Sequence, residues 1–409
     1  MPDSAEAGRR GKEVRSDCWV RIEPKPGGIK LTLNTKVETM FGKAIRKLIR
    51  EELAFFDIKN AHVTVEDGGA LPFVMNARIE AAVKRLNPKE KREYLPELLD
   101  HARQPTARER FRRSRLYLPG NEPKFMLNAG VHKPDAVILD LEDSVAPAVK
   151  DEALLLVRNA LRQIDFMGAE RMVRINQLPR GLGELDSLVA ANVHLILIPK
   201  CEDPQMVKDV DARIEKAMGA GRNASSVQRP LLMPIIESCL GVFNALDIAR
   251  ASKNVVALTI GLEDYTADLG TQRTLEARES FWARSQVVNA ARAAGVQPID
   301  TVFSDINDTE GLRQSVLEAR GMGYEGKGCI HPRQIVPIHE AFAPADTEIE
   351  RAKRIVLAGH EAEAKGLGAV ALGSKMIDPP VVKRALRTVD MAIRMGRLAK
   401  DWEQKAEEK

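Results

Sequence analysis

The sequence holds 409 residues with 62 basic against 58 acidic side chains, a formal charge of +4, which lacks the basic excess of a nucleic-acid binder and leaves nucleic acid outside the expected partners. Its length exceeds one ordinary domain and suits a barrel of about 250 residues with smaller parts attached. No run approaches the roughly 18 apolar residues of a membrane span, and residues 1–15 are polar rather than built like a secretory leader, so a cytoplasmic protein with no membrane partner is expected.

In chain order, residues 1–15 read as a disordered tail and residues 16–86 as a small α+β domain. Trp19-Val-Arg-Ile-Glu and Ile29-Lys-Leu-Thr-Leu alternate as strands around the Gly27-Gly28 turn, as half-buried strands do. Residues 41–56 carry helical spacing, His62-Val-Thr-Val is a third strand, and residues 75–86 are rich in helix formers after Gly68-Gly69. Residues 87–112 are charged and poor in apolar side chains, which reads as a solvated linker. Arg103, Arg108, Arg110, Arg112, Arg113 and Arg115 crowd its end; a sharper reading brings the last of them to the phosphates of a carrier or nucleotide-like cofactor. The four cysteines, Cys18, Cys201, Cys239 and Cys329, show no Cys-x-x-Cys spacing, which argues for reduced thiols rather than a zinc site or a disulfide framework.

Within residues 113–340 apolar runs alternate with helical stretches: Leu116-Tyr-Leu, Ala136-Val-Ile-Leu, Met172-Val-Arg-Ile, Leu195-Ile-Leu-Ile, residues 231–236, residues 255–260, Thr301-Val-Phe and Gly328-Cys-Ile. Eight such candidates predict an α/β chain with a (β/α)₈ TIM barrel. Active sites in that fold lie at the C-terminal strand ends, which directs attention to Asp140, Glu142, Asp143, Arg174, Asn176, Lys200, Glu237, Asp264 and Asp305. Asp143-Ser144 also suits a helix cap, and Lys200 suits a simple ion pair. A guanidinium at Arg174 needs anionic partners in such a mouth, from the protein or from a substrate. Glu237 and Asp264 each follow an apolar run, and two carboxylates brought together form a plausible seat for Mg²⁺, which takes oxygen ligands. Residues 341–409 read as a C-terminal helical arm and lid.

Arg113-Ser-Arg-Leu-Tyr-Leu-Pro-Gly, Asp140-Leu-Glu-Asp-Ser-Val, Arg174-Ile-Asn, Ile236-Glu-Ser, Gly261-Leu-Glu-Asp-Tyr and Gly373-Ser-Lys-Met-Ile-Asp follow one another in an order and spacing that resembles the citrate lyase β-subunit family of the HpcH/HpaI aldolase superfamily, over residues 113–394. The resemblance implies a (β/α)₈ barrel and Mg²⁺-dependent carbon–carbon cleavage or condensation. It matches Glu237 and Asp264 to metal ligands, of which Glu237 also contacts substrate, and Arg174 to the arginine on the keto-acid carboxylate. Asp378 matches an acid/base aspartate on a lid supplied by a neighbouring subunit, although Pro379 and Pro380 by themselves read as a helix start. Arg113 joins the expected substrate contacts, and Asp140 and Glu142 are expected to orient Arg174 or metal-bound water.

Ser16-Asp-Cys-Trp-Val-Arg-Ile, Val37-Glu-Thr-Met-Phe-Gly, and Glu66-Asp-Gly-Gly-Ala-Leu followed by Asn76-Ala-Arg-Ile-Glu-Ala resemble the citrate lyase acyl-carrier (γ) subunit. Such carriers hold a CoA-derived prosthetic arm on a serine; here the usual position falls on Arg15, and Ser16 is the nearby serine. The resemblances together imply a lyase that cleaves a citryl thioester, citryl-CoA or citryl-carrier, to oxaloacetate and an acetyl thioester. The alternative is a malyl-CoA or citramalyl-CoA lyase on free CoA thioesters, with the N-terminal domain as a docking module. They also imply a homo-oligomer, trimer or hexamer, and other citrate lyase subunits as partners.

Overall fold

The computed structural model describes residues 2–220, 227–372 and 375–404. The chain divides after Ile338 into two units. Among the described residues no helix is long and apolar enough to cross a membrane.

The first unit begins with a four-stranded sheet of β1 (Ala5–Gly8), β2 (Cys18–Glu23), β3 (Ile29–Thr35) and β4 (Ala61–Asp67), in the order β1-β2-β4-β3. β2 lies antiparallel to both β1 and β4, and β3 lies parallel to β4. A parallel pair needs a crossover, which α1 (Glu38–Phe55) provides, and α2 (Pro72–Leu86) follows β4. The segment expected to be a disordered tail thus contributes an edge strand. Its apolar signal is only Ala5 and Ala7, both buried, and its partners lie on β2 and at Glu152, whose carboxylate accepts the Gly8 N–H at 2.8 Å.

Most of α2 is buried because it packs on the barrel helix Lys150–Gln163. Its polar residues meet partners there. Arg78 forms a bidentate pair with Asp17 and lies 3.5 Å from Glu152. Arg158 bridges Glu80 at 2.8 Å and Glu93 at 3.1 Å, with its side chain fully buried. Arg85 binds Asp151.

The expected linker, residues 87–112, is also ordered. Leu98 and Ala102 are buried, and residues 100–103 form a helical turn. Its arginines satisfy backbone carbonyls at the N-terminal rim of the barrel: Arg108 donates to Lys253 and Val255, and Arg110 to Asp135 and Gly168. Arg112 is buried in a bidentate pair with Glu170. Carbonyl groups and a buried carboxylate engage these three guanidinium groups.

Eight parallel strands close the barrel: β5 (Ser114–Pro119), β6 (Ala136–Asp140), β7 (Glu170–Arg174), β8 (Leu195–Ile198), β9 (Leu231–Ile236), β10 (Ala257–Ile260), β11 (Gln297–Asp300) and β12 (Gly326–Cys329). Each pairs with the next, and β12 returns to β5 through Gly328 opposite Arg115. Thr301-Val-Phe, the expected seventh strand, lies just beyond the real one. Gln297-Pro-Ile-Asp gives little apolar signal because its polar members are paired: Asp300 is buried against Lys327 at 2.7 Å and Arg284 at 3.2 Å. The interior is filled by alternate residues, among them Ala136, Ile138, Met172, Leu195, Leu197, Met233, Ile235, Ala257 and Ile299.

The second unit pairs the helices Asp346–Ala364 and Pro379–Arg394, joined by a hairpin of β13 (Val370–Leu372) and β14 (Lys375–Ile377). Ile355, Val356, Ile377, Val389 and Trp402 form its core. Gly373 and Ser374, the start of the Gly-Ser-Lys-Met-Ile-Asp motif, lie outside the described residues.

Removing one member of a buried ion pair leaves the other charge uncompensated. Arg158→Ala is therefore expected to lower stability by about 3–5 kcal/mol, read from urea unfolding. A loss of the size typical of an exposed pair would show that Glu80 is not clamped.

Candidate active site

Strand alternation explains how the site residues meet. On β6 the inward series runs from Ala136 and Ile138 to Asp140, on β7 from Met172 to Arg174, and on β9 from Met233 and Ile235 to Glu237, the residue after the strand. Period-two alternation sets each polar residue one layer above the apolar interior. All three line a cavity of about 490 Å³ at the C-terminal mouth, with Tyr117, Arg115 and Asp264.

Asp140 holds Arg174 through two hydrogen bonds, Nε at 2.7 Å and Nη2 at 2.8 Å. Glu142 lies 2.9 Å from Nη1, and the guanidinium stacks over Tyr117 at 5.4 Å. Burial works against charge on Arg174, but the hydrogen bond and charge of Asp140 together with Tyr117 and Glu142 outweigh it and its pKa rises. Burial likewise opposes charge on Asp140, and Arg174 holds that carboxyl below its ordinary range. The pair is fixed as cation and anion. Burial raises the Glu142 carboxyl despite Arg174.

Glu237 is nine-tenths buried or more, and burial, with the charges of Asp264 and Glu142 added, pushes its pKa up to about 8. Its Oε1 accepts the Lys200 N–H at 2.6 Å. Its Oε2 lies so close to Gly261 that a Cβ there would approach within 2.6 Å, so a larger residue at this position would have to displace the carboxylate. Asp264 sits in the first turn of the helix Leu262–Leu269, and Lys200 Nζ donates to it at 2.8 Å.

Among the described residues no group of three or more His, Cys, Asp or Glu side chains gathers as a metal cluster. The donor set nevertheless fits Mg²⁺, which uses one or two carboxylates and takes its remaining oxygens from water and substrate. Glu237 and Asp264 are hard oxygen donors in one mouth, and the Glu237 carboxyl, raised chiefly by burial and further by the Asp264 and Glu142 charges, would be drawn to its anionic form by a cation there.

Several expected residues lie elsewhere. Arg113 precedes β5 and makes a bidentate pair with Asp135, before β6. It belongs to the opposite rim and does not reach the mouth. Arg115, two positions later and inward-facing, lines the mouth in its place: its Nη2 donates to Thr259 at 2.9 Å, and its buried Nε has no hydrogen-bond partner. The signal was available, since Arg115 shares strand parity with Tyr117. Asn176 is taken up by Glu184, and Asp305 lines a separate cavity. Within the second unit, taken by itself, Asp378 caps the helix Pro379–Arg394 by accepting the Val381 N–H at 3.1 Å. Ser16 occupies a left-handed turn, φ 58°, with its N–H on Gly68.

The raised carboxyl has a stability consequence. Glu237 binds more protons folded than unfolded, so its contribution to stability is intact below the ordinary 4.5 and declines as pH rises to about 8. In metal-free buffer Glu237→Gln is expected to melt above the unaltered protein at about pH 9, the difference closing toward about pH 5. Mg²⁺ should then stabilise only the unaltered protein. Parallel melting curves across pH would contradict the assignment.

Residues 113–332 match the family described as HpcH/HpaI aldolase/citrate lyase, and residues 7–86 match the malonate decarboxylase delta subunit. The citrate lyase subunit beta of Haemophilus influenzae is 42% identical over 69% of this chain and 97% of its own length. The mitochondrial citramalyl-CoA lyase of Mus musculus is 32% identical over 69% of this chain and 86% of its own. The crystal structure of CitE from Mycobacterium tuberculosis in complex with magnesium, acetoacetate and coenzyme A is 27% identical, with a TM-score of 0.58 over 70% of this chain and 99% of that one.

Proposed function

The chain belongs to the HpcH/HpaI aldolase/citrate lyase family and is an oxo-acid lyase, and we propose that it cleaves a citryl thioester to oxaloacetate and an acetyl thioester. The observation that carries this reading is Arg174, fixed by Asp140 and Glu142, beside the carboxylates of Glu237 and Asp264 in one mouth. Citrate lyase beta subunits are 38–42% identical to the chain, and the magnesium in the CitE crystal structure supports Mg²⁺ as the cation.

Glu237 and Asp264 would hold Mg²⁺, and the cation when bound supplies Lewis-acid polarisation of the hydroxyl or keto oxygen. Lys200, half-exposed on its flexible stem, pairs with Asp264 and would have to release it for Asp264 to serve as a ligand. Arg174 binds the carboxylate of the acid end, and Asp140 holds the guanidinium in orientation. As the hydroxyl passes its proton to water in the mouth and becomes the keto group of oxaloacetate, the carbon–carbon bond breaks and leaves its electron pair on the thioester's α-carbon, and Asp378 enters this step as the neutral acid. Asp378 protonates that carbon, releasing the acetyl thioester. The second unit acts as a lid delivered by a neighbouring copy in a cytoplasmic trimer or hexamer, with other citrate lyase subunits as further partners.

One observation favours free CoA thioesters over a mobile carrier, and with them the citramalyl-CoA or malyl-CoA reading. The N-terminal domain is held to the barrel by buried ion pairs. Ser16, where a CoA-derived arm would be attached, is half-buried, and intact mass shows whether it carries one.

Glu237→Ala is expected to lower kcat on citryl-CoA by about 10²-fold or more. Arg174→Lys is expected to lose kcat/KM because an ammonium cannot reproduce the bidentate fork. Full Mg²⁺-dependent cleavage by Glu237→Ala would remove the metal assignment. Asn caps a helix nearly as well as Asp, so Asp378→Asn keeps the cap and removes the acid. It is expected to lose about 10²–10⁴-fold in kcat with unchanged melting; unchanged kcat would leave Asp378 a structural cap.

A further inference from the structure

We propose that a basic pocket of the N-terminal domain binds the phosphates of a free CoA thioester whose acyl end lies in the barrel mouth. This rests on the thioester-lyase reading and names where the far end of that substrate is held. The pocket, about 260 Å³, lies outside residues 113–332 and is lined by Arg9, Arg10, Lys12 and Lys36 together with Glu66 and Asp67.

Four cations thus face two carboxylates, and the acids are largely engaged. Asp67 accepts hydrogen bonds from Thr35 Oγ1 at 2.6 Å and from the N–H groups of Gly69 and Ala70 at 2.9 and 2.7 Å. Glu66 stands 4.0 Å from Arg10, whose guanidinium is steadied over the Trp19 ring at 4.5 Å. Arg9 pairs with Glu122. Lys12 and Lys36 are exposed and have no acidic partner among the described residues. Uncompensated ammonium groups beside a steadied guanidinium are a site for a multiply charged oxyanion.

Position connects the pocket with the chemistry. Arg9 pairs with Glu122, three residues after Pro119, which lines the mouth. Arg78 of α2 also donates to the Asn121 carbonyl at 3.3 Å. The pocket therefore adjoins the loop leaving β5 at the mouth end of the barrel. The Arg78–Glu152 and Arg158–Glu80 contacts, both buried, keep the domain in that place. CoA has its phosphates at one end and its thioester at the other, joined by a long pantetheine arm. A fixed basic pocket beside a fixed mouth suits such a two-ended ligand, and it leaves a carrier no need to swing.

Calorimetry with free CoA and with pantetheine, which lacks the phosphates, tests this on the full chain at low ionic strength. The unaltered protein is expected to bind CoA more tightly than pantetheine. Lys12→Ala with Lys36→Ala should weaken CoA binding about tenfold or more and leave pantetheine unaffected, whereas Lys12→Arg with Lys36→Arg should retain CoA affinity. Equal affinity of the unaltered protein for CoA and pantetheine overturns the proposal, as does CoA binding that the alanine pair does not change. Failure of the lyase reading shows differently: no turnover of any thioester by the unaltered protein, while the contrast between CoA and pantetheine persists.

Discussion

A strand turns every second side chain to the same face, and closure of eight parallel strands makes that face the inside of a barrel. Here the alternation ties the apolar interior and the polar mouth to the same series of residues. Ile138 and Asp140, Met172 and Arg174, and Ile235 and Glu237 are successive members of inward rows. A shift of one residue in any row would bury a charge against the helices and turn a core residue into the mouth. The site is thus fixed by the packing beneath it, because neither layer can move without the other.

Charges in such a mouth are costly to desolvate, and each is treated differently. Arg174 and Asp140 neutralise one another through two hydrogen bonds. Glu237 has the Lys200 amide but, among the described residues, no cationic side chain hydrogen-bonded to it, and burial raises its proton affinity. The opposite rim shows the other solution, with guanidinium groups of residues 108–113 spread over strand-start carbonyls and the carboxylates of Glu170 and Asp135. In a barrel the two ends separate chemistry from stability, and the arginines of this chain are divided along that line. Arg113 and Arg115 are two residues apart and serve opposite ends.

The barrel was legible because most of its strands are short apolar runs. Seven of the eight expected segments overlap observed strands, as their ranges show. The exception, Gln297–Asp300, hides its strand character because its buried polar groups find partners on β12 and on the helix Phe281–Ala294. The same reason hid the order of residues 87–112, whose charges looked solvated until their partners at the lower rim came into view. The left-handed turn at Ser16 and the antiparallel partner of β1 likewise depend on Gly68 and β2, which local pattern does not reveal.

The linear pattern was enough to read the barrel, the small domain before it and the family, since alternation, turn residues and ordered motifs are local properties of the chain. It also named Glu237, Asp264, Arg174 and Asp140 as candidates, because each stands at or just beyond the end of a recognisable strand. That Arg115 and not Arg113 faces the mouth, that Lys200 takes Asp264, and that the N-terminal domain is clamped to the barrel emerged from the folded chain. Those outcomes depend on which distant groups share a buried space, and the energy of a buried charge is set by such neighbours rather than by its place in the chain.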